Sequence, residues 1–247
     1  MIGFPVLFFI PDVAPVAWML VLISGILEAV YFITLTRAYR DGDLSVVYPI
    51  ARGSAPLFLL LWAIIFLSER PTVVGLFGIL AVVAGLYVIN LRSFSDWRRP
   101  LQGFQSPASR WAIVTGLLIS TYSAVDKLGI RHFPPFTYLY LILLVCWICL
   151  SYQWLLSDRR TPLVDEIRSA KKFWYVLSAA ISGTAAYALV LAALRISPVS
   201  YVAPVREVSV VIGAWIGVRF LNEQSGSMRI FASILIAAGI SLIAFGG

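Results

Sequence analysis

The chain has 247 residues, of which 60% are hydrophobic and 13% charged, with a formal net charge of +7. A soluble domain carries roughly a quarter charged residues, so this composition, with a mean hydropathy of +0.91, excludes a water-facing globule and leaves lipid as the surrounding medium. The basic excess sits in short loops between apolar runs, which is the positive-inside pattern of a membrane protein and excludes a nucleic-acid-binding face.

A bilayer core ~30 Å thick takes ~20 apolar residues of helix to cross. Eight runs meet that requirement in chain order: residues 16–38, 44–68, 72–90, 110–130, 135–157, 172–194, 198–221 and 227–245. Backbone groups in hydrocarbon have no water to bond, so these runs must be helices. No alternating-period strands occur, which excludes an outer-membrane barrel. The expected fold is all-α, a polytopic integral membrane helix bundle. Ahead of the first run, "MIGFPVLFFI" (Met1–Ile10) has neither a basic leader nor a small-residue cleavage site, so it is no signal peptide.

Ionisable residues at membrane depth cost ~2.5–3.5 kcal/mol each on insertion scales, so each needs a reason. The first run, "WMLVLISGILEAVYFITL", carries Glu28 near its middle, with Tyr31 one turn further along the same face. Glu28 is a candidate proton carrier or a ligand for a cationic substrate group; the alternative is a buried pair with Arg52 or Arg206. Arg52, in the second run, lies about eight residues into its helix, ~12 Å at 1.5 Å per residue. Pro49 precedes it and frees backbone groups nearby. The fourth run places Asp126 and Lys127 near its end, as cavity residues or as structural ion pairs. In the seventh, Arg206 and Glu207 follow Pro204. Tyr48, Tyr187, Tyr201 and Trp215 read as cavity lining or as interface anchors. Cys146 and Cys149, one turn apart in "LVCWICL", read as small hydrophobes, and His132 has no partner cluster, so neither a metal site nor a cofactor is expected.

The chain says one thing twice. The trio 16–38, 44–68, 72–90 matches the trio 172–194, 198–221, 227–245. Pro49 answers Pro204, Arg52 answers Arg206, Glu69 answers Glu223, and Gly85 in "VVAGLYVI" answers Gly239 in "IAAGISLI". Internal duplication of this kind marks a transporter built from repeats. The expected division is residues 1–90 as a first repeat, 91–109 as a linker rich in Pro, Ser and charge, and 110–247 as a second repeat of five helices. Symmetry then expects five helices in the first half too: either the chain starts late, with one helix and most of another ahead of Met1 and Met1–Ile10 as the tail of the latter, or it works without them. An odd number of crossings turns the second half upside down, giving an inverted repeat. Glu69 and Glu223, each ending a helix, are expected to shape turns.

"YFITLTRAYRDGDLSVVYPI", "APLFLLLWAIIFLSERPTVVGLFGILAVVAGLYVI" and their partner in the second half resemble the EamA domain of the drug/metabolite transporter superfamily. The resemblance spans essentially the whole chain and implies a ten-helix inverted-repeat carrier with a central cavity. It also implies a small-molecule substrate (a metabolite, amino acid or drug) in a lipid environment. Eight or nine helices of that plan are present.

Together these readings point to a secondary transporter of the cytoplasmic membrane working by alternating access. The run GxxxxGK[ST] is absent, so no nucleotide drives it, and protons are a candidate coupling ion. A lipid-carrier flippase of the same fold, an intramembrane enzyme and a non-transporting membrane protein are the alternatives. An enzyme would need paired carboxylates or a Ser/His/Asp set, which the scattered acids and single histidine do not provide. Loop charges put Arg37, Arg40 and both long basic loops in the cytoplasm and Gly247 outside, whereas the resemblance implies both termini inside.

Overall fold

The computed structural model describes residues 13–42, 44–89, 91, 95, 97, 106–156, 170–209, 211–212 and 226–246. They form eight helices: α1 (Pro15–Asp41), α2 (Leu44–Phe66), α3 (Val73–Val88), α4 (Pro107–Gly129), α5 (Pro135–Leu156), α6 (Ala170–Ile196), α7 (Val199–Arg206) and α8 (Gly226–Gly246). No strand occurs among the described residues. Seven of the helices follow the apolar runs to within a few residues. The seventh run, 198–221, is helical as α7 to Arg206, turns at Glu207 and is helical again at 208–209 and 211–212; most of its remainder lies outside the described residues. So do Met1–Ile10, Trp215, Glu223 and most of the segments 91–109 and 157–172.

Among the described residues, four helical segments are long and apolar enough to cross a membrane: Pro15–Asp41, Pro135–Leu156, Phe173–Ile196 and Ser227–Gly246. The shorter apolar segments are Ile50–Phe66 in α2 and Val73–Val88, the whole of α3. The sixteen residues of α3 rise ~24 Å. In α2 the apolar stretch starts only beyond the opening turn with its polar Ser45, and in α4 hydroxyl residues with Asp126 and Lys127 break the apolar run. Large apolar side chains point outward on many of these helices, Phe66 at 69%, Phe77 at 64% and Phe245 at 93% exposure among them. In a soluble chain such patches would be unusual; here they face lipid.

The helices gather into two compact units, each drawing on both halves of the sequence. The first holds α1 as far as Ala29, the end of α4 from Val125, and all of α5 and α6. Here Gly25 lets α1 lie close on α5: a methyl at Gly25 would fall 2.9 Å from the Ile142 carbonyl oxygen. Trp18 meets Phe133 edge-on at 5.6 Å, and Phe133 and Tyr138 are fully buried.

The second unit holds the rest of α1, most of α4, and α2, α3, α7 and α8. Its core is Leu60, Ile79, Val82, Leu86 and Ile89 against Ala232, Ile236 and Ile243. The spacing that equates Gly85 with Gly239 also equates Gly78 with Ala232 and Val82 with Ile236. A methyl on Gly78 would meet the Gly239 carbonyl oxygen at 2.7 Å, and one on Gly239 would meet that of Gly78 at 2.6 Å. The duplicate of this contact is present too, since a methyl on Gly85 would come within 3.0 Å of the Ala232 carbonyl oxygen. Partners thus descend α8 as they ascend α3, so these equivalent helices run antiparallel and pair as the two sides of a two-fold contact do. The repeat is inverted.

The end of α2 is built to reach another helix. Ser68 adopts φ 54°, the left-handed conformation that commonly stops helices. The Ala63 carbonyl then accepts from both Leu67 N (3.2 Å) and Glu69 N (2.9 Å). This turn delivers the Glu69 carboxylate to the start of α7, where it accepts from Val199 N at 2.8 Å, Ser200 N at 3.1 Å and Ser200 Oγ at 2.7 Å. The residue at the N-cap position of α7 is Pro198, which offers no side-chain acceptor, so Glu69 satisfies the free N–H groups instead. Glu69 does more than shape its own turn.

Candidate functional site

Among the described residues, each unit carries buried acidic side chains with polar neighbours. In the first, Asp126 at the end of α4 is wholly buried. Its carboxylate accepts from three hydroxyls: Ser24 of α1, Tyr138 of α5 (3.0 Å) and Tyr187 of α6. Burying a carboxylate is costly unless donors replace its water, and these three helices supply them. Glu28 lies one turn beyond Ser24 on α1, within electrostatic reach of Asp126, and is 7% exposed. Its Oε2 has no hydrogen-bond partner. Lys127 points elsewhere, donating to the Leu194 carbonyl oxygen of α6 at 2.6 Å.

In the second unit, α7 ends at Arg206, with Pro204 inside its last turn, and Glu207 N–H closes a tight turn onto the Pro204 carbonyl at 3.0 Å. That turn buries Glu207 to 1% exposure. Arg52 of α2 approaches Glu207 Oε1 at 3.4 Å, and Arg206 Nε approaches the same oxygen at 3.7 Å. Arg206 Nε and Glu207 Oε2 are buried without hydrogen-bond partners. The ring of Tyr48, one turn before Arg52, stacks 5.8 Å from its guanidinium.

The sequence-level candidates therefore separate into Glu28, Asp126, Lys127 and Tyr187 in one unit and Tyr48, Arg52, Arg206 and Glu207 in the other. Tyr31 packs edge-on against Tyr122 at 5.8 Å in the second unit. Both arginines find Glu207. Tyr201 accepts from Thr72 N at 2.9 Å and lies against Gly75, a packing role at the start of α3. Sequence reading missed Ser24, Tyr138 and Tyr122. Ser24 had a signal, four residues before Glu28 and so on its face of the helix. Tyr138 had none, because an aromatic near a helix end reads equally well as an interface anchor.

The sequence profile of the EamA-like transporter family matches residues 1–91 and 107–245. The chain belongs to that family. As an EamA protein it is a multi-pass membrane transporter of the drug/metabolite type, with a small-molecule substrate; the family consists of transporters, not enzymes. A solved structure described only as "Crystal structure of protein" superposes with a TM-score of 0.70 at 16% identity, covering 94% of this chain and 77% of that one. At that identity the likeness speaks for the fold. No curated protein gives a significant match.

Proposed function

We propose that this EamA transporter is a secondary carrier that moves a small metabolite, amino acid or drug-like molecule across the cytoplasmic membrane by alternating access. The observation that carries the reading is the Arg52–Glu207–Arg206 cluster, with its carboxylate buried to 1% exposure in helices whose outer faces are apolar. Groups this expensive to insert persist where they serve a pathway. Residues 1–90 and 110–247, joined by 91–109, are the two repeats in this scheme, and Tyr48, Arg52, Arg206 and Glu207 contact the solute.

Glu28, Asp126, Lys127 and Tyr187 form the coupling site in this proposal, and protons are the coupling ion. The unpartnered, buried Oε2 of Glu28 supports the assignment, since it is free to exchange a proton or receive a cationic group. The test is uptake by proteoliposomes of the purified chain under an imposed pH gradient. Gradient-dependent accumulation that Glu28→Gln abolishes supports proton coupling; accumulation unchanged by Glu28→Gln removes Glu28 from the mechanism. If no solute accumulates under any gradient, the carrier reading fails.

A further inference from the structure

We propose that the Arg52–Glu207–Arg206 cluster selects solutes that carry a carboxylate or another oxyanion; this rests on the carrier reading and names the class of its substrate. Two guanidiniums meet one carboxylate here, and both crowd onto the same oxygen, at 3.4 and 3.7 Å. Arginine does not give up its proton in proteins, so the three side chains hold one positive charge in excess. Among the described residues no second carboxylate meets these arginines; a half-buried charge without a counter-charge is costly, and Arg206 Nε also lacks an acceptor. A bound oxyanion supplies both.

Accessibility decides the sign of the ligand. The Arg52 and Arg206 side chains are 28% and 18% exposed, whereas that of Glu207 is 2% exposed. An incoming solute therefore meets the guanidiniums first and finds the carboxylate behind them. A cationic solute would meet the reverse of what it needs. The planar fork of arginine suits two-oxygen groups in particular, and the Tyr48 ring beside Arg52 limits the directions from which that fork is approached.

The experiment uses the full chain in detergent, with matched sets of aliphatic carboxylates, their primary amides and the corresponding amines, graded in length. Carboxylates should raise the unfolding midpoint and protect Arg52 and Arg206 from phenylglyoxal, read by peptide mass spectrometry; amides and amines should do neither. Arg52→Gln and Arg206→Gln should each weaken carboxylate binding ~10-fold or more, the worth of a hydrogen bond to a charged group. Glu207→Gln, which removes the competing anion, should tighten it. The proposal is overturned if amides or amines act as well as carboxylates, if no carboxylate acts, or if both arginine variants bind as the parent does. The phenylglyoxal measurement needs no variant, so misfolding of a variant does not shield the proposal. Uptake of an amine or amide into proteoliposomes would sink the anion assignment and leave the carrier reading standing. Carboxylate binding without uptake of any solute would do the reverse.

Discussion

At Asp126 three helices invest a hydroxyl each in one buried carboxylate. Asp126→Ala strands all three, and each stranded buried donor costs about 1–3 kcal/mol. The expected outcome is a sharp fall in the thermal midpoint of the detergent-solubilised chain, with Asp126→Asn, which keeps one acceptor oxygen, falling less. Equal losses for the two would mean that the hydroxyls do not depend on that carboxylate. Asp126, like Glu28, Arg52, Arg206 and Glu207, was legible in the sequence because lipid makes any ionisable group conspicuous. Their partners were not. That Arg52 and Arg206 share Glu207 depends on how α2 packs beside α7, and that Ser24 and Tyr138 serve Asp126 depends on α1 and α5 meeting the end of α4. Neither packing leaves a periodic trace along the chain.

Two features are properties of elements and their ends. Glu69 caps α7 across 130 positions of sequence from Val199, so Glu69→Ala should cost about 1 kcal/mol, the usual worth of a helix cap. Because Pro198 offers no substitute, a second acceptor placed elsewhere on α7 should not restore it; an unchanged midpoint for Glu69→Ala would deny the capping role. The crossing of α3 and α8 has less tolerance. Gly239→Ala forces a methyl to 2.6 Å from a backbone oxygen, and overpacking of this kind costs about 1–3 kcal/mol. Gly183 in α6 has nothing within 4 Å of the same added methyl, so Gly183→Ala should be neutral or slightly stabilising through helix propensity. Equal midpoints for the two variants would contradict the close approach. The sequence displayed these glycines as close-packing residues but did not say which helix they admit.

For the molecule as a whole, lipid is the solvent that shaped what could be read in advance. Helices were legible from apolar runs alone, because hydrocarbon permits no other exposed backbone. The interruption at Glu207 was not, since Pro204 and the Glu207 turn sit inside an apolar run that hydropathy reads as continuous. The duplicated trios announced an inverted repeat, and the antiparallel α3–α8 contact bears it out. A chain with so much apolar surface outward should show it to lipid. Trp147 and Trp174, each 65% exposed on membrane helices, should be quenched in liposomes by brominated acyl chains. In single-tryptophan variants, quenching by aqueous iodide in place of bromolipid would place those faces in water.

The crossing of α3 with α8 has a hereditary side. A surface that grips its own duplicate is copied twice in the sequence but inherited as one fit, so neither copy is at liberty to drift alone. A side chain at 239 would run into the backbone of Gly78, and one at 85 into that of Ala232, and no substitution at the partner position makes room for either. The two halves are thereby held in step at this seam, while Glu207, whose counterpart by the same spacing is Gly53, marks a place where the two copies have parted.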